Sequence, residues 1–195
     1  MMKTIQFWFD FASTYSYPAA MQIRQLKDEY RFSLHPFLLG GIFQKQGLND
    51  SPFNAYPVKG QYMWRDLERI CQKLDLKFHR PVLFPQNGLL AARIACQYAS
   101  APWIFDFICN VYQANFVQNL DIGQPETISQ ILQNMQLDCN DIIMTSTTDT
   151  AKQTLKQNGM IAESLHIFGA PSFVIENELF WGQDRLQDAI DWSQR

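Results

Sequence analysis

Strand-forming sequence occurs only near the two ends of this chain, and that spacing decides what sheet it can build. Residues 3–9 are rich in aromatic and β-branched side chains, and Phe32-Ser33-Leu34-His35-Pro36-Phe37-Leu38-Leu39 alternates before turning apolar. Between them, Tyr17 to Tyr30 carries an apolar stripe of Tyr17, Met21, Ile23 and Leu26 at helical spacing. Pro18 suits the first turn of that helix, where its missing N–H costs nothing. A strand, a helix and a strand joined this closely predict a βαβ unit with parallel strands. Strand character returns only at Ser172-Phe173-Val174-Ile175 and Glu178-Leu179-Phe180-Trp181, which flank Glu176-Asn177 as a hairpin. A helix from Asp184 to Trp192 follows. Packing the sequence-distant ends into one sheet is the simplest way to satisfy every edge and apolar face.

The middle of the chain has a different character. Residues 40–58 read as a loop, with Gly40, Gly41, Gly47, Asn49, Pro52 and Pro57. Helical patterns then run over about 59–75, 87–99, 102–118, 124–135 and 147–158. The order is βαβ, an all-helical block, then ββα. Without the block this is the minimal thioredoxin arrangement. The expected architecture is therefore α/β, a thioredoxin-like domain of residues 1–58 and 161–195 with an inserted helical domain of 59–160. At 195 residues the chain can bury roughly 70% of its unfolded surface and needs no staples.

Composition excludes several classes of function. A net charge of −3 argues against a general nucleic-acid or anionic-membrane footprint. No apolar stretch approaches the ~20 residues of a membrane span. The first residues lack the basic-then-apolar design of a secretory signal, so a cytoplasmic protein is expected. Cys71, Cys96, Cys109 and Cys139 have neither metal nor redox spacing and are expected to be reduced and mostly buried. His35, His79 and His166 form no ligand pair, and no metal site is expected.

Three short segments carry possible chemistry. In Phe11-Ala12-Ser13-Thr14-Tyr15-Ser16-Tyr17, Ser13 and Ser16 stand where a thioredoxin-type oxidoreductase places its two redox cysteines. Ser13 precedes a helix, where unpaired N–H groups and the macrodipole favour negative charge. Taken alone, a helix-capping serine is the simpler reading. No base is apparent beside it to make it a nucleophile, but it can donate to a bound thiolate. Lowering a thiol from ~8.5 to ~6.5 needs about 2.7 kcal/mol. A hydrogen bond to a charged group gives ~1.5–3 kcal/mol, and a helix N-terminus adds up to ~1–2 kcal/mol. The second segment is Phe168-Gly169-Ala170-Pro171-Ser172-Phe173, whose proline suits the first residue of a strand. In a thioredoxin-type fold it is expected to be cis and to face the first turn. The third is Trp181-Gly182-Gln183-Asp184-Arg185-Leu186, where Asp184 reads either as the N-cap of the last helix or, with Arg185, as a holder of an amino-acid-like group.

Together these segments resemble the bacterial 2-hydroxychromene-2-carboxylate isomerases and the kappa-class glutathione transferases, both in the DsbA-like thioredoxin superfamily. The resemblance spans essentially the whole chain and extends to Pro36-Phe37-Leu38-Leu39-Gly40-Gly41-Ile42-Phe43 and Lys59-Gly60-Gln61-Tyr62. It implies glutathione as cofactor. Ser13 would donate to its sulfur, Ala170 before Pro171 would pair through its backbone with the cysteinyl part, and Asp184 and Arg185 would hold the γ-glutamyl end. Asn49 and Lys59 match the remaining ligands, although the loop Gln44–Pro52 is about one residue longer than the usual pattern. Thr14, where the family usually has proline, is expected to loosen the turn slightly. The resemblance also implies a homodimer and isomerisation of an aromatic pyruvate derivative. Phe7, Trp8, Phe11, Tyr15, Phe43, Tyr62 and Trp64 are candidates to line the substrate site, though half or more of them fit a core equally well. A glutathione transferase or peroxidase remains open, as does a non-catalytic peptide-binding module. A disulfide catalyst does not, since Ser13 and Ser16 cannot form a disulfide.

Overall fold

The computed structural model describes residues 2–195. Four strands, β1 (Ile5–Phe9), β2 (Phe32–Pro36), β3 (Ser172–Ile175) and β4 (Glu178–Trp181), form one sheet in the order β2-β1-β3-β4. β1 runs parallel to β2 and antiparallel to β3, and β3 and β4 form the hairpin. The two ends of the chain thus meet through β1 and β3, with Trp8 opposite both His35 and Ser172. The hairpin turn is two residues, and Glu176 takes the left-handed φ of +56° there. This is the expected thioredoxin arrangement, with the helical block inserted between β2 and β3.

Strand alternation explains how both faces of the sheet are covered. Ile5, Phe7 and Phe9 of β1 and Phe173 and Ile175 of β3 point into the larger apolar core. Trp8 and Val174 point the other way, into a smaller cluster with Phe37, Ile42, Ala162 and Ile167. Helix α1 (Ser16–Leu26) begins one residue before the expected Tyr17, and residues 27–29 follow it as a turn. The larger core joins α1 to α4 (Pro57–Lys73), α5 (Leu89–Gln97), α6 (Ile104–Phe116) and α7 (Pro125–Asn134). Burying a Phe side chain contributes roughly 1.5–3 kcal/mol, so Phe7, Phe9, Phe11, Phe107, Phe116 and Phe173, all fully buried, dominate this core.

Three helices go beyond the expected set. The supposed loop 40–58 holds α2 (Leu39–Lys45) and α3 (Pro52–Ala55). Ser51 caps α3 by accepting the Phe53 N–H, whereas the first N–H of α2 finds a partner 29 residues away, in Asp10. Helix α8 (Cys139–Ser146) is set by Asp138, whose carboxylate accepts the N–H groups of Asn140 and Asp141. Helix α9 (Asp149–Ser164) continues past residue 160, the expected end of the helical block. The last helix, α10 (Leu186–Ser193), starts later than expected because Gln183–Arg185 wind as a 3-10 turn. Asp184 therefore lies inside that turn and caps nothing, which corrects the N-cap reading. All four cysteines are free thiols, three of them buried. Among the described residues no helix is long and apolar enough to cross a membrane.

Gly88, just before α5, has an ordinary φ of −87°, so close approach and not backbone freedom explains it. A Cβ there would stand 2.7 Å from the Cβ of Phe11, closer than real side chains approach. Gly88→Ala is expected to lower stability by about 1–3 kcal/mol, read by urea unfolding. An unchanged midpoint would contradict this packing of the Phe11 turn.

Candidate functional site

The register of the central strands brings the first and second motifs together. β1 ends at Phe9 and β3 begins at Ser172, at the same end of the sheet. The turn Asp10–Tyr15 therefore faces the turn Phe168–Pro171, and the Ala170-Pro171 bond is cis, as expected. Ser13 Oγ donates to the Ala170 carbonyl at 2.8 Å and accepts the Ser16 N–H at 3.3 Å. The hydroxyl thus caps the entry to α1 and pins it to the opposite turn. The capping reading of Ser13 therefore holds, in the same atom that faces Ala170. Ser16, the first residue of α1, is fully buried and does not line the cleft. Its role is structural.

A cleft of about 1070 Å³ opens over Ser13. All the candidate residues line it: Ser13, Asn49, Lys59, Ala170, Pro171, Asp184 and Arg185. Gly182, at φ +117°, donates its N–H to the Pro171 carbonyl, which brings the 3-10 turn with Asp184 and Arg185 to the proline. Asp184 and Arg185 are exposed and lie 3.5 Å apart, with Arg185 also bonded to Asp188 at 2.8 Å. Those carboxylates hold the guanidinium in its charged form. Lys59, in the first turn of α4, lies 5.7 Å from the centre of the Phe53 ring and has no carboxylate partner among the described residues.

The aromatic walls differ from those expected. Phe7, Trp8, Phe11 and Trp64 are core residues, and only Tyr15, Phe43 and Tyr62 of the seven line the cleft. Phe53, Phe84, Phe168 and Trp181 line it as well. The last two meet with ring centres 4.8 Å apart and planes tilted by 58°, and are about half exposed. Gly169 makes that contact possible, since a Cβ there would run into the Trp181 indole nitrogen. Tyr15 donates to Asp66 at 3.1 Å, and burial together with that carboxylate pushes its phenol well above the ordinary range. Thr14 has a partner of its own, donating to Met63 Sδ at 3.2 Å, so α4 ties down the position where proline is usual.

Sequence reasoning overlooked Asp10, the one acidic residue in Phe7-Trp8-Phe9-Asp10-Phe11. Its carboxylate is buried beneath the cleft and accepts the Ala12 N–H at 2.9 Å and the Leu39 N–H at 2.7 Å. Its own carbonyl accepts from Ser13 N–H and from Tyr112 Oη, and Asn115 of α6 donates to the Phe11 carbonyl. The helical block thus supports the turn from beneath. A single acidic residue inside an apolar run was the available signal, because a buried carboxylate requires specific donors.

The sequence model of the DSBA-like thioredoxin domain matches residues 4–191. The chain belongs to that family. Similar curated proteins include the 2-hydroxychromene-2-carboxylate isomerases of Pseudomonas sp. (strain C18) and Sphingobium xenophagum. Each is 26% identical to this chain over 95% of its length, covering 88% and 95% of those proteins respectively. Among solved structures, a 2-hydroxychromene-2-carboxylate isomerase superposes with a TM-score of 0.85 at 20% identity, covering 98% of this chain and 95% of that one. The cytosolic disulfide reductase DsbM from Pseudomonas aeruginosa, solved with GSH, gives 0.68 at 13% identity, covering 98% and 96%. The resemblance read from the sequence motifs is therefore borne out across the chain.

Burial raises the Asp10 pKa, and its two backbone donors only partly oppose that. A raised folded-state pKa means that the folded protein binds this proton more tightly than the unfolded chain. The associated stability is complete below the unfolded value of ~3.9 and is lost as pH rises through the folded one. Urea unfolding of wild type should show this loss on raising the pH from the ordinary carboxylate range, relative to Asp10→Asn, which lacks the titrating group. Parallel pH profiles for the two proteins would contradict it.

Proposed function

We propose that this protein is a glutathione-dependent isomerase of the 2-hydroxychromene-2-carboxylate isomerase type, acting on aromatic pyruvate derivatives. The observation that carries this reading is the Ser13 hydroxyl, held between two turns at the base of an aromatic-walled cleft. Relatives named 2-hydroxychromene-2-carboxylate isomerase match along nearly the whole chain, which supports the reaction type.

The donor set around the cleft fits glutathione. The tripeptide has one ammonium, two carboxylates and a thiol, and the cleft lining carries Asp184, Arg185, Lys59 and the Ser13 hydroxyl. Asp184 and Arg185 would hold the γ-glutamyl end, Lys59 and Asn49 the remaining polar groups, and the Ala170 backbone the cysteinyl part. When bound, glutathione supplies a thiolate that adds reversibly to a conjugated double bond, so that the bond can rotate before elimination restores it.

The chain's own residues would bind, orient and stabilise charge. The Ser13 hydroxyl has one proton, shared here with the neutral Ala170 carbonyl. A hydrogen bond to a charged acceptor gives ~1.5–3 kcal/mol against ~0.5–1.5 for a neutral one, so an anionic sulfur competes successfully for that proton. This is electrostatic stabilisation by a group already in place. Tyr62, Phe53, Phe84, Phe168 and Trp181 offer flat apolar faces to an aromatic substrate and exclude water beside the sulfur.

Interconversion of 2-hydroxychromene-2-carboxylate, followed spectrophotometrically, is expected to need reduced glutathione. Ser13→Ala should lower kcat/KM by about ten- to hundredfold, the worth of one charged hydrogen bond. No glutathione dependence, or an unimpaired Ser13→Ala protein, would contradict the proposal. Efficient conjugation of a generic electrophile without isomerisation would point instead to a kappa-like transferase.

A further inference from the structure

A second pocket, of about 270 Å³, opens where α2, α5 and α9 meet. It shares α2 with the large cleft but no residue: Gly40, Phe43 and Gln44 face the cleft, Leu38, Gly41 and Ile42 the pocket. Ile42, Leu89 and Leu155 give it an apolar floor, and Arg93, Lys152 and Lys156 a cationic rim. The one carboxylate lining it, Glu163, is taken by Lys45 at 2.6 Å. Lys152 is paired with Asp149, whereas Lys156 has no ion-pair partner among the described residues. Arg93 has neither an ion pair nor a hydrogen bond there, and its Nε is buried with no acceptor. A buried donor left unpaired is rare enough to need a reason.

Two glycines add an independent observation. Gly41 lies within α2 and Gly159 within α9, both against this pocket, and a Cβ on either would meet nothing within 4 Å. Glycine weakens a helix interior, and no neighbouring side chain requires it at these positions. What the two glycines do is leave the pocket open.

We propose that this pocket binds a small carboxylate with an apolar body. The flat guanidinium of Arg93 suits a carboxylate's two oxygens, Lys156 adds a second positive charge, and the Ile42–Leu89–Leu155 floor takes the apolar part. A bare inorganic anion would leave that floor unused. The volume lies just below the usual range of ~300–1,000 Å³ for ligand pockets, which favours an acid with a single ring. The site stands apart from the proposed isomerase chemistry and does not depend on it.

The test is a calorimetric titration of the full-length protein with benzoate, with benzamide and with inorganic phosphate. Benzoate is expected to bind, and benzamide and phosphate to bind about tenfold more weakly or worse. Arg93→Gln and Gly159→Leu should each weaken benzoate by about tenfold or more, while Lys59→Gln, in the large cleft, leaves it unchanged. If Gly159→Leu fails to fold by circular dichroism, Lys156→Gln takes its place with the same expected direction. No benzoate binding, binding removed by Lys59→Gln but not by Arg93→Gln, or phosphate binding as well as benzoate would each overturn the proposal.

Discussion

The buried carboxylate of Asp10 holds together two elements that the chain brings from different directions. One oxygen accepts the N–H of Ala12 within the β1–α1 turn, and the other accepts the N–H of Leu39 at the start of α2. A charge so placed is costly without donors, and removing either donor would leave one of its oxygens without a partner. The turn is also fastened through its carbonyls, by Tyr112 and Asn115 of α6. With its backbone fixed on three sides, the turn presents Ser13 at one position, facing Ala170. The cleft, its charged rim and its aromatic walls are arranged around that fixed point.

The helical block therefore does more than fill space. α6 supplies polar partners beneath the turn, and α4 supplies Met63 for Thr14, Asp66 for Tyr15, and Lys59 on the cleft wall. These contacts reach across sequence separations of 49 to 104 residues. A thioredoxin core alone would lack them. Sulfur chemistry at such a turn divides by what the chain itself provides. This chain provides hydroxyls at positions 13 and 16, and its four cysteines lie elsewhere.

Much of this was legible in the sequence wherever the cause is local. The hairpin 172–181 follows from two short apolar runs around a two-residue turn, and the meeting of Ser13 with Ala170-Pro171 follows from strand order. What escaped has non-local causes. Gly40 and Gly41 read as loop, yet α2 forms there because Asp10 satisfies its first N–H from 29 residues away. Phe7 and Trp8 lie on opposite faces of β1, and alternation cannot tell which face borders a cleft when both are covered. Phe168 and Trp181 form one wall only because the β3–β4 hairpin folds them together. Asp184 missed its expected capping role because the chain winds one 3-10 turn before α10 begins.

The proposed role of Ser13, fixed in this way, is to stabilise the anionic sulfur of bound glutathione. The most direct measurement is the ultraviolet thiolate absorbance of protein-bound glutathione followed against pH. In wild type the bound thiol should titrate well below the ~8.5 of a free cysteine-type thiol, and in Ser13→Ala its midpoint should move back towards that value. A bound thiol that titrates at the same pH in both proteins would contradict the account.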